Sequence, residues 1–493
     1  MTKKNMRAGV QAISGFGLNA FSQDELNTIH DATLEVLQDP GLMVESDEAM
    51  EIFHGCGARV ERREDGGVVR LPPYLVEDCI RLAPNIVVYH GRDPRNDFVA
   101  EPKRVTLTNA GCCVKIVDLL TLDVRPTLKR DCEDIGRLCD CLEEIEIFER
   151  PCVPTDAPRE TYPVHALEAI LRNTSKHVLI GADNPENLRR MVEVAAACVG
   201  GIDSFRRRPI FTATVCPTSP LSLGPDCCDV VIEAARQGVG LWCIPMALAG
   251  ATATATLAGT LVTTNAEQLG ALVLAQLTSK GTPFAYGNTS IIMDMTMGVG
   301  SVGAPELGVI SSGAAKLAQY YRLPCIVGSG MSDSKIPDAQ VGYESAVSAL
   351  TAALAGANVI FGLGGLDQLL TFDYAKLIMD VEMSRMITRV VRGIDVTEDA
   401  LALDVIRQVG PGREYMTHDH TYHHMRELSR SRLFDRSTRD VWEAAGEKDV
   451  LTRAYEKART ILGDHRPAPL PEGAEEAMQS VLESYEGELG LRK

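Results

Sequence analysis

Eight short apolar runs recur through the middle of the chain, separated by helical segments, and few folds accommodate that rhythm. The runs fall at about 104–108, 145–153, 177–181, 209–216, 240–246, 283–287, 324–329 and 357–361. Amphipathic or buried helices are expected among them, for example at 187–199, 226–237, 265–279, 304–321, 340–355 and 374–391. Strands alternating with helices build a parallel sheet, and eight is the number that closes a barrel. The fold expected is an α/β (β/α)8 barrel of the TIM type over residues 101–400, with an open doubly wound sheet as its rival.

The two ends read differently. Ser22 to Glu25 is a capping box ahead of Leu26, Ile29, Leu34 and Leu37, which predicts a helix to about Gln38. ARVERREDGGVVRL, from residue 58, reads as a hairpin with Asp65-Gly66-Gly67 at its turn, and a short helix follows Pro73. Residues 1–100 are therefore expected to form an N-terminal helical and hairpin cap. Residues 401–493 read as a C-terminal helical extension: a His-, Arg- and aromatic-rich stretch at 411–445, a linker at Pro467, Pro469 and Pro471, and an acidic helix.

Composition narrows the partners. A net charge of -18 argues against nucleic acid, which needs clustered Lys and Arg. The 14 cysteines are scattered, mostly in apolar stretches, and MTKKNMRAG lacks the apolar core of a signal peptide. Reduced thiols in a cytoplasmic protein are expected. Residues 238–266 carry no charge, but Pro245 and the many glycines and threonines favour a buried strand, a loop and a helix start over a membrane span.

In a barrel, chemistry gathers at the C-terminal ends of the strands. That rule points to Thr108-Asn109-Ala110, Cys216-Pro217-Thr218, Tyr286-Gly287-Asn288, Gly328-Ser329-Gly330 and Gly362 to Gly365. Glycines there admit a backbone or a bulky ligand, and equally serve tight turns. GSGMSDSKIPDAQ, residues 328–340, packs Asp333, Lys335, Asp338 and Gln340 just after the seventh run. GVGSVG at 298–303 matches a dinucleotide pattern but follows no convincing strand and lacks the partner acid. HDHTYHH, residues 418–424, puts His420 and His424 on one face if helical, a spacing zinc can use, yet no nearby Cys or Glu completes a set. No metal is assigned. Cys139 and Cys141 point to different sides of a helix and read as packing.

Longer segments carry a resemblance. CPTSPLSL (216–223), LAGTLVTTNAEQLGALVLAQL (257–277), GAPELGVISSGAAKLAQYYRLP (303–324), MSDSKIPDAQ (331–340), LAGANVIFGLGGLDQLLTFDYAKLIMD (354–380) and GLNAFSQDELNTIHDATLEVLQDPG near the start resemble the trimethylamine methyltransferase family. The likeness implies a (β/α)8 barrel that moves a methyl group from a methylated amine to the cobalt of a separate corrinoid protein. It also implies an oligomer, and no cofactor tightly bound by this chain. In the pyrrolysine-bearing members that residue stands just before Ser-Asp in this loop, where this chain has Met331. A thioether forms no adduct with an amine, so the resemblance points to the pyrrolysine-free branch and to a quaternary amine such as glycine betaine, with carnitine, γ-butyrobetaine or proline betaine as alternatives.

A quaternary nitrogen leaves as a neutral amine, and aromatic faces and carboxylates suit its charge. On this reading Met331, Asp333, Lys335 and Gln340 form the catalytic loop. Tyr286, Asn288, Tyr343, Phe361, Phe372, Tyr374, His420 and His424 are the substrate-binding candidates, and Gly328, Gly330, Gly362 and Gly364 are the cofactor-facing ones. Two other classes stay open: a zinc-dependent barrel enzyme using the His418–His424 cluster, and a non-catalytic betaine-binding protein.

Overall fold

The computed structural model describes residues 17–102 and 104–491; the segment MTKKNMRAG lies outside them. Eight parallel strands form one sheet: β1 (Thr106–Asn109), β2 (Ile147–Glu149), β3 (His177–Gly181), β4 (Phe211–Val215), β5 (Gly240–Cys243), β6 (Phe284–Asn288), β7 (Cys325–Gly328) and β8 (Val359–Leu363). Each pairs with its sequence neighbour from β2 to β8, and β8 pairs with β1 through Phe361 opposite Thr108. A parallel bridge from Leu107 to Ile145 joins β1 to the start of β2. That contact closes the sheet into a barrel and rules out the open doubly wound alternative.

A helix follows every strand: α1 (Lys129–Cys141), α2 (Tyr162–Asn173), α3 (Pro185–Cys198), α4 (Pro225–Gln237), α5 (Leu257–Thr278), α6 (Glu306–Tyr321), α7 (Ala339–Ala355) and α8 (Tyr374–Arg392). The uncharged stretch 238–266 is β5, a loop and the first turns of α5, which begins at Leu257 rather than at 265. Among the described residues no helix is long and apolar enough to cross a membrane.

Side chains alternate across each strand. Those pointing outward, such as Phe148, Ala213, Cys243, Tyr286 and Val327, join the layer between barrel and helices. Those pointing inward form a separate cluster: Ile147, Leu179, Trp242, Ile244, Ala285, Ile326, Val359 and Phe361. The same cluster takes in Tyr89 and Phe98 from the hairpin Val87–Tyr89/Phe98–Ala100. Their rings stack 6.3 Å apart and are buried, so this hairpin stoppers the N-terminal end of the barrel.

The helix Gln23–Gln38 has the expected capping box, with Ser22 Oγ accepting from Glu25 N at 3.3 Å and Glu25 Oε2 accepting from Ser22 N at 2.7 Å. The hairpin turns one residue earlier than expected. Arg63 pairs with Gly66, so Glu64 and Asp65 form the loop. Gly66 sits at φ +111° under the carbonyl of Val44, where a Cβ would lie 2.5 Å from that oxygen. The close approach of the strand Leu42–Val44 sets the register, a tertiary contact that turn chemistry does not reveal.

The C-terminal extension wraps the barrel's outside. Helix Val450–Asp464 packs on α8, with the Tyr455 hydroxyl donating to Asp373 at 2.8 Å, and helix Ala474–Glu488 packs on α3.

Candidate functional site

The C-terminal end of the barrel holds small residues on its inner wall. Gly181, Gly287 and Gly328 lie above the inward cluster, beside Thr214. Gly287 makes room for the Trp242 ring and Gly328 for the Met331 methyl and Thr289, while an added Cβ on Gly181 would meet only the Thr214 carbonyl, 3.4 Å away; below them lies a floor of two rings. Trp242 and Phe361 meet edge to face at 5.1 Å, and Trp242 Nε1 donates over β6 to the Ile326 carbonyl on β7 at 3.2 Å. That bond needs Gly287, because a Cβ there would sit 2.5 Å from Trp242 Nε1.

Glu149 ends β2 and faces inward. Asn109, at the end of β1, pins it from the neighbouring strand: Asn109 Nδ2 donates to the Glu149 carbonyl at 2.7 Å, and Asn109 Oδ1 accepts from Glu149 N at 3.1 Å. The carboxyl leans beneath Gly111, where any Cβ would lie 2.7 Å from Oε1. It is buried, and Oε2 has no hydrogen-bond partner. Burial pushes its pKa well above the ordinary carboxylate range. Thr214 Oγ1 and Thr289 Oγ1 are likewise buried without partners. Three unsatisfied oxygens at one end of a barrel are costly unless a ligand meets them.

Cys216, after β4, is exposed although burial drives its thiol up to about 12. A side chain both surrounded and solvent-accessible lines a recess. The loop that carries it is fixed from behind by Glu267, which accepts from Ser219 Oγ at 2.9 Å and Leu221 N at 2.8 Å, and whose pKa burial raises to about 7.

Met331 is fully buried over the ends of β7 and β8. It packs with Ile291, Val302 and Leu307, under Leu369, and its side chain closes on Gly328 and Gly362. Gly362 sits at φ +144°, and a Cβ on it would come 2.7 Å from Met331 Cγ. Gly362→Ala is expected to lower stability by about 1–3 kcal/mol through overpacking and backbone strain, read as a fall in the urea midpoint.

The other members of this loop do structural work. Asp333 accepts from Ser301 Oγ and from Val302 N at 3.0 Å, clipping the β7 loop to the hairpin Ile291–Asp294/Val299–Ser301. The GVGSVG segment is one arm of that hairpin. Lys335 is solvent-exposed and donates to the Asp333 carbonyl at 2.7 Å, while Gln340 is exposed and donates to Glu344. Gly330 and Gly364 face away from the recess. Gly330 donates to Ser348 Oγ, and Gly364 backs onto the ring of Phe372.

Several expected binding residues lie elsewhere. Tyr286 and Asn288 point outward, because the strand's alternation puts Gly287 inside. The Tyr286 hydroxyl donates to Asn265 Oδ1 at 2.9 Å, and Asn288 Nδ2 donates to Thr264 Oγ1 at 3.1 Å, both partners on α5. Phe372 and Tyr374 pack edge to face in the outer core. Tyr343 is 75 % exposed on α7. His420 and His424 stack at 4.2 Å on a short helix beyond α8, with His424 Nδ1 3.0 Å from Glu427. The chain after that segment is anchored at mid-helix on α8, where Arg432 N donates to Glu382. Among the described residues no three His, Cys, Asp or Glu side chains come together as a metal site.

Glu149, Trp242 and Thr214 were missed by sequence reading. The available signal was a charged residue ending an apolar barrel strand, Ile147-Phe148-Glu149. A separate recess of about 630 Å³ opens near Lys316, Gln319, Arg322 and Asn358. It lies at the N-terminal end of the barrel, away from the face where barrel chemistry sits.

Comparison with known proteins agrees with this architecture. The trimethylamine methyltransferase family model matches residues 3–490. The trimethylamine methyltransferase of Desulfitobacterium hafniense is 48 % identical over 99 % of this chain and 98 % of its own length. A glycine betaine methyltransferase from the same species is 31 % identical over 96 % of this chain and 98 % of its own. The crystal structure of the Methanosarcina barkeri monomethylamine methyltransferase has the same fold at 13 % identity, with a TM-score of 0.51 over 92 % of this chain and 96 % of that one. With one family model spanning almost its whole length, and relatives matched end to end, the chain belongs to the trimethylamine methyltransferase family.

Proposed function

We propose that this enzyme removes a methyl group from a quaternary amine and passes it to the Co(I) of a corrinoid carried by a separate protein. The observation that carries the reading is the unpartnered Glu149 Oε2 at the C-terminal end of a barrel whose inward cluster includes two aromatic rings, Trp242 and Phe361. A permanent cation without N–H groups is held by a carboxyl that ionises on binding it and by π faces rather than by hydrogen-bond acceptors. The 31 % identical glycine betaine methyltransferase supports the same substrate type.

When bound, the corrinoid supplies a nucleophile that accepts the methyl while the C–N bonding pair stays on nitrogen. The residues at the mouth fit such a visitor. Met246, Met295 and Ile336, on the loops after β5, β6 and β7, stand more than half exposed around the opening and offer an apolar rim. Glu149 holds the ammonium, the rings fix its orientation, and the recess excludes water. No residue has to donate a proton, because the departing tertiary amine is already neutral.

Met331 fills the loop position with a thioether buried against glycine, which leaves no electrophile for a tertiary amine there. Trimethylamine is the second reading, favoured by the 48 % identical relative of that name. Mixing the enzyme with a Co(I) corrinoid protein and an amine panel separates the two. Methyl-Co(III) absorbance is expected with a quaternary amine and not with trimethylamine. Its absence with every quaternary amine, or equal rates with trimethylamine, would overturn the proposal.

A further inference from the structure

Of the 14 cysteines, three are exposed: Cys56 on the N-terminal cap, and Cys112 and Cys216 on the loops after β1 and β4. Their electrostatic settings differ. Burial drives the Cys216 thiol up to about 12, which keeps it protonated and a poor nucleophile. Cys112 faces a cation. Arg150 Nη2 donates to its Sγ at 3.0 Å, and among the described residues no other basic side chain hydrogen-bonds to a cysteine sulfur.

Arg150 is built into that position. It follows Glu149 at the end of β2, and strand alternation turns it away from the barrel interior toward α2. There its guanidinium lies 5.6 Å over the ring of Tyr162, whose hydroxyl is tied to Asp183 at 2.8 Å. The side chain is buried, yet Nε and Nη1 have no partner. Burial works against its charge, but the Cys112 sulfur and the Tyr162 hydroxyl outweigh that and raise its pKa. The backbone presents Cys112 to it. Cys112 N donates to the Arg150 carbonyl and Cys113 N to the Pro151 carbonyl, both at 3.1 Å, and Cys112 is held at φ +61°. The thiol is thus open to solvent and set against a buried guanidinium. A guanidinium beside a sulfur favours the ionised, nucleophilic form, and its planar fork binds an oxygen anion better than it binds sulfur, a weak acceptor.

We propose that Cys112 is a redox modification site, where a hydroperoxide converts the thiolate to a sulfenate held by Arg150. The sulfur attacks one peroxide oxygen, and the S–O bond forms as the O–O bond breaks. With hydrogen peroxide the other oxygen leaves as hydroxide, which takes the sulfenic proton and departs as water. The sulfur loses the electron pair that the peroxide gains, the first rung of cysteine oxidation. The new oxygen gives the unfilled donors of Arg150 an anionic acceptor. The modified loop is the one whose Gly111 covers the Glu149 carboxyl.

The test is peptide mass spectrometry of the reduced full chain after a substoichiometric dose of hydrogen peroxide with dimedone, which traps sulfenic acids. Cys112 is expected to take the adduct roughly tenfold faster than Cys56 or Cys216. Arg150→Met should slow Cys112 roughly tenfold and leave Cys56 unchanged, with Arg150→Lys in between. A second measurement needs no variant. Iodoacetate, an anion, and iodoacetamide, its neutral counterpart, compete for the wild-type thiols, and the guanidinium should raise the iodoacetate share at Cys112 above that at Cys56. Cys112 labelling no faster than Cys56, or an equal iodoacetate share at both, would overturn the inference. So would an unchanged Cys112 rate in Arg150→Met. Should that variant open locally, seen as dimedone on buried Cys113 and Cys152, the iodoacetate comparison decides.

Discussion

Glu149→Gln is expected to make the protein more stable and nearly inactive. The wild-type carboxyl is buried without a partner on Oε2, and burial holds its pKa well above the ordinary value. Between the unfolded pKa, near 4.5, and the raised folded one, the native state binds more protons than the unfolded state. Stability of the free protein therefore falls as pH rises through that window. The amide removes this dependence and should add about 1–3 kcal/mol at pH 8, read from urea denaturation at several pH values. Ligand binding has the opposite sign. A quaternary ammonium binds the carboxylate form, so wild-type affinity rises with pH across the same window. Glutamine abolishes that slope and should weaken binding roughly 100-fold, the factor that about 3 kcal/mol represents. A Glu149→Gln enzyme that demethylates normally would sink the proposed function.

Lys376→Met is expected to cost the most stability. Lys376 and Asp380 are both buried on α8, with Nζ 2.5 Å from Asp380 Oδ2. Nζ also donates to the Gly330 carbonyl at 3.1 Å, and Asp380 Oδ2 accepts from Gly364 N at 2.8 Å. One ion pair thus holds the loops after β7 and β8 from behind, on either side of Met331. Removing the cation strands a buried carboxylate, a loss of about 3–5 kcal/mol. The loss should deepen from pH 5 to pH 8, because burial already raises the Asp380 pKa and the lysine opposes that rise. Lys376→Met combined with Asp380→Leu should recover most of the stability, since an apolar pair of similar volume replaces the charges. If the single variant melts within about 1 kcal/mol of wild type, the ion pair is not the tie described.

The barrel was legible in the sequence because its signal is repetitive: eight apolar runs with helices between them survive an error in any one. The inner wall was not, because it depends on phase. In Tyr286-Gly287-Asn288 the aromatic and the amide drew attention, yet alternation turns both outward and leaves the glycine facing the recess. Glu149 was hidden inside the run 145–153, where Glu146 and Arg150 are also charged, and only the strand's end point at Glu149 marks which of them faces inward. The histidine cluster misled for a different reason. Its composition suggests chemistry, but its side chains pair within the C-terminal extension, His424 with Glu427 and His418 with Gln408. Asp333 looked catalytic because of its loop, and the structure spends it on joining that loop to the hairpin.

The Tyr89 and Phe98 stopper has a kinetic consequence. With the N-terminal end of the barrel filled among the described residues, the proposed function leaves the C-terminal mouth to serve both the amine and the methyl acceptor. Amine entering, amine leaving and the docked partner cannot share it. The amine must load before the partner arrives, and the demethylated product must wait until the partner departs. Turnover should therefore follow a compulsory order, with excess partner protein inhibiting by trapping product inside and by closing empty enzyme to its substrate.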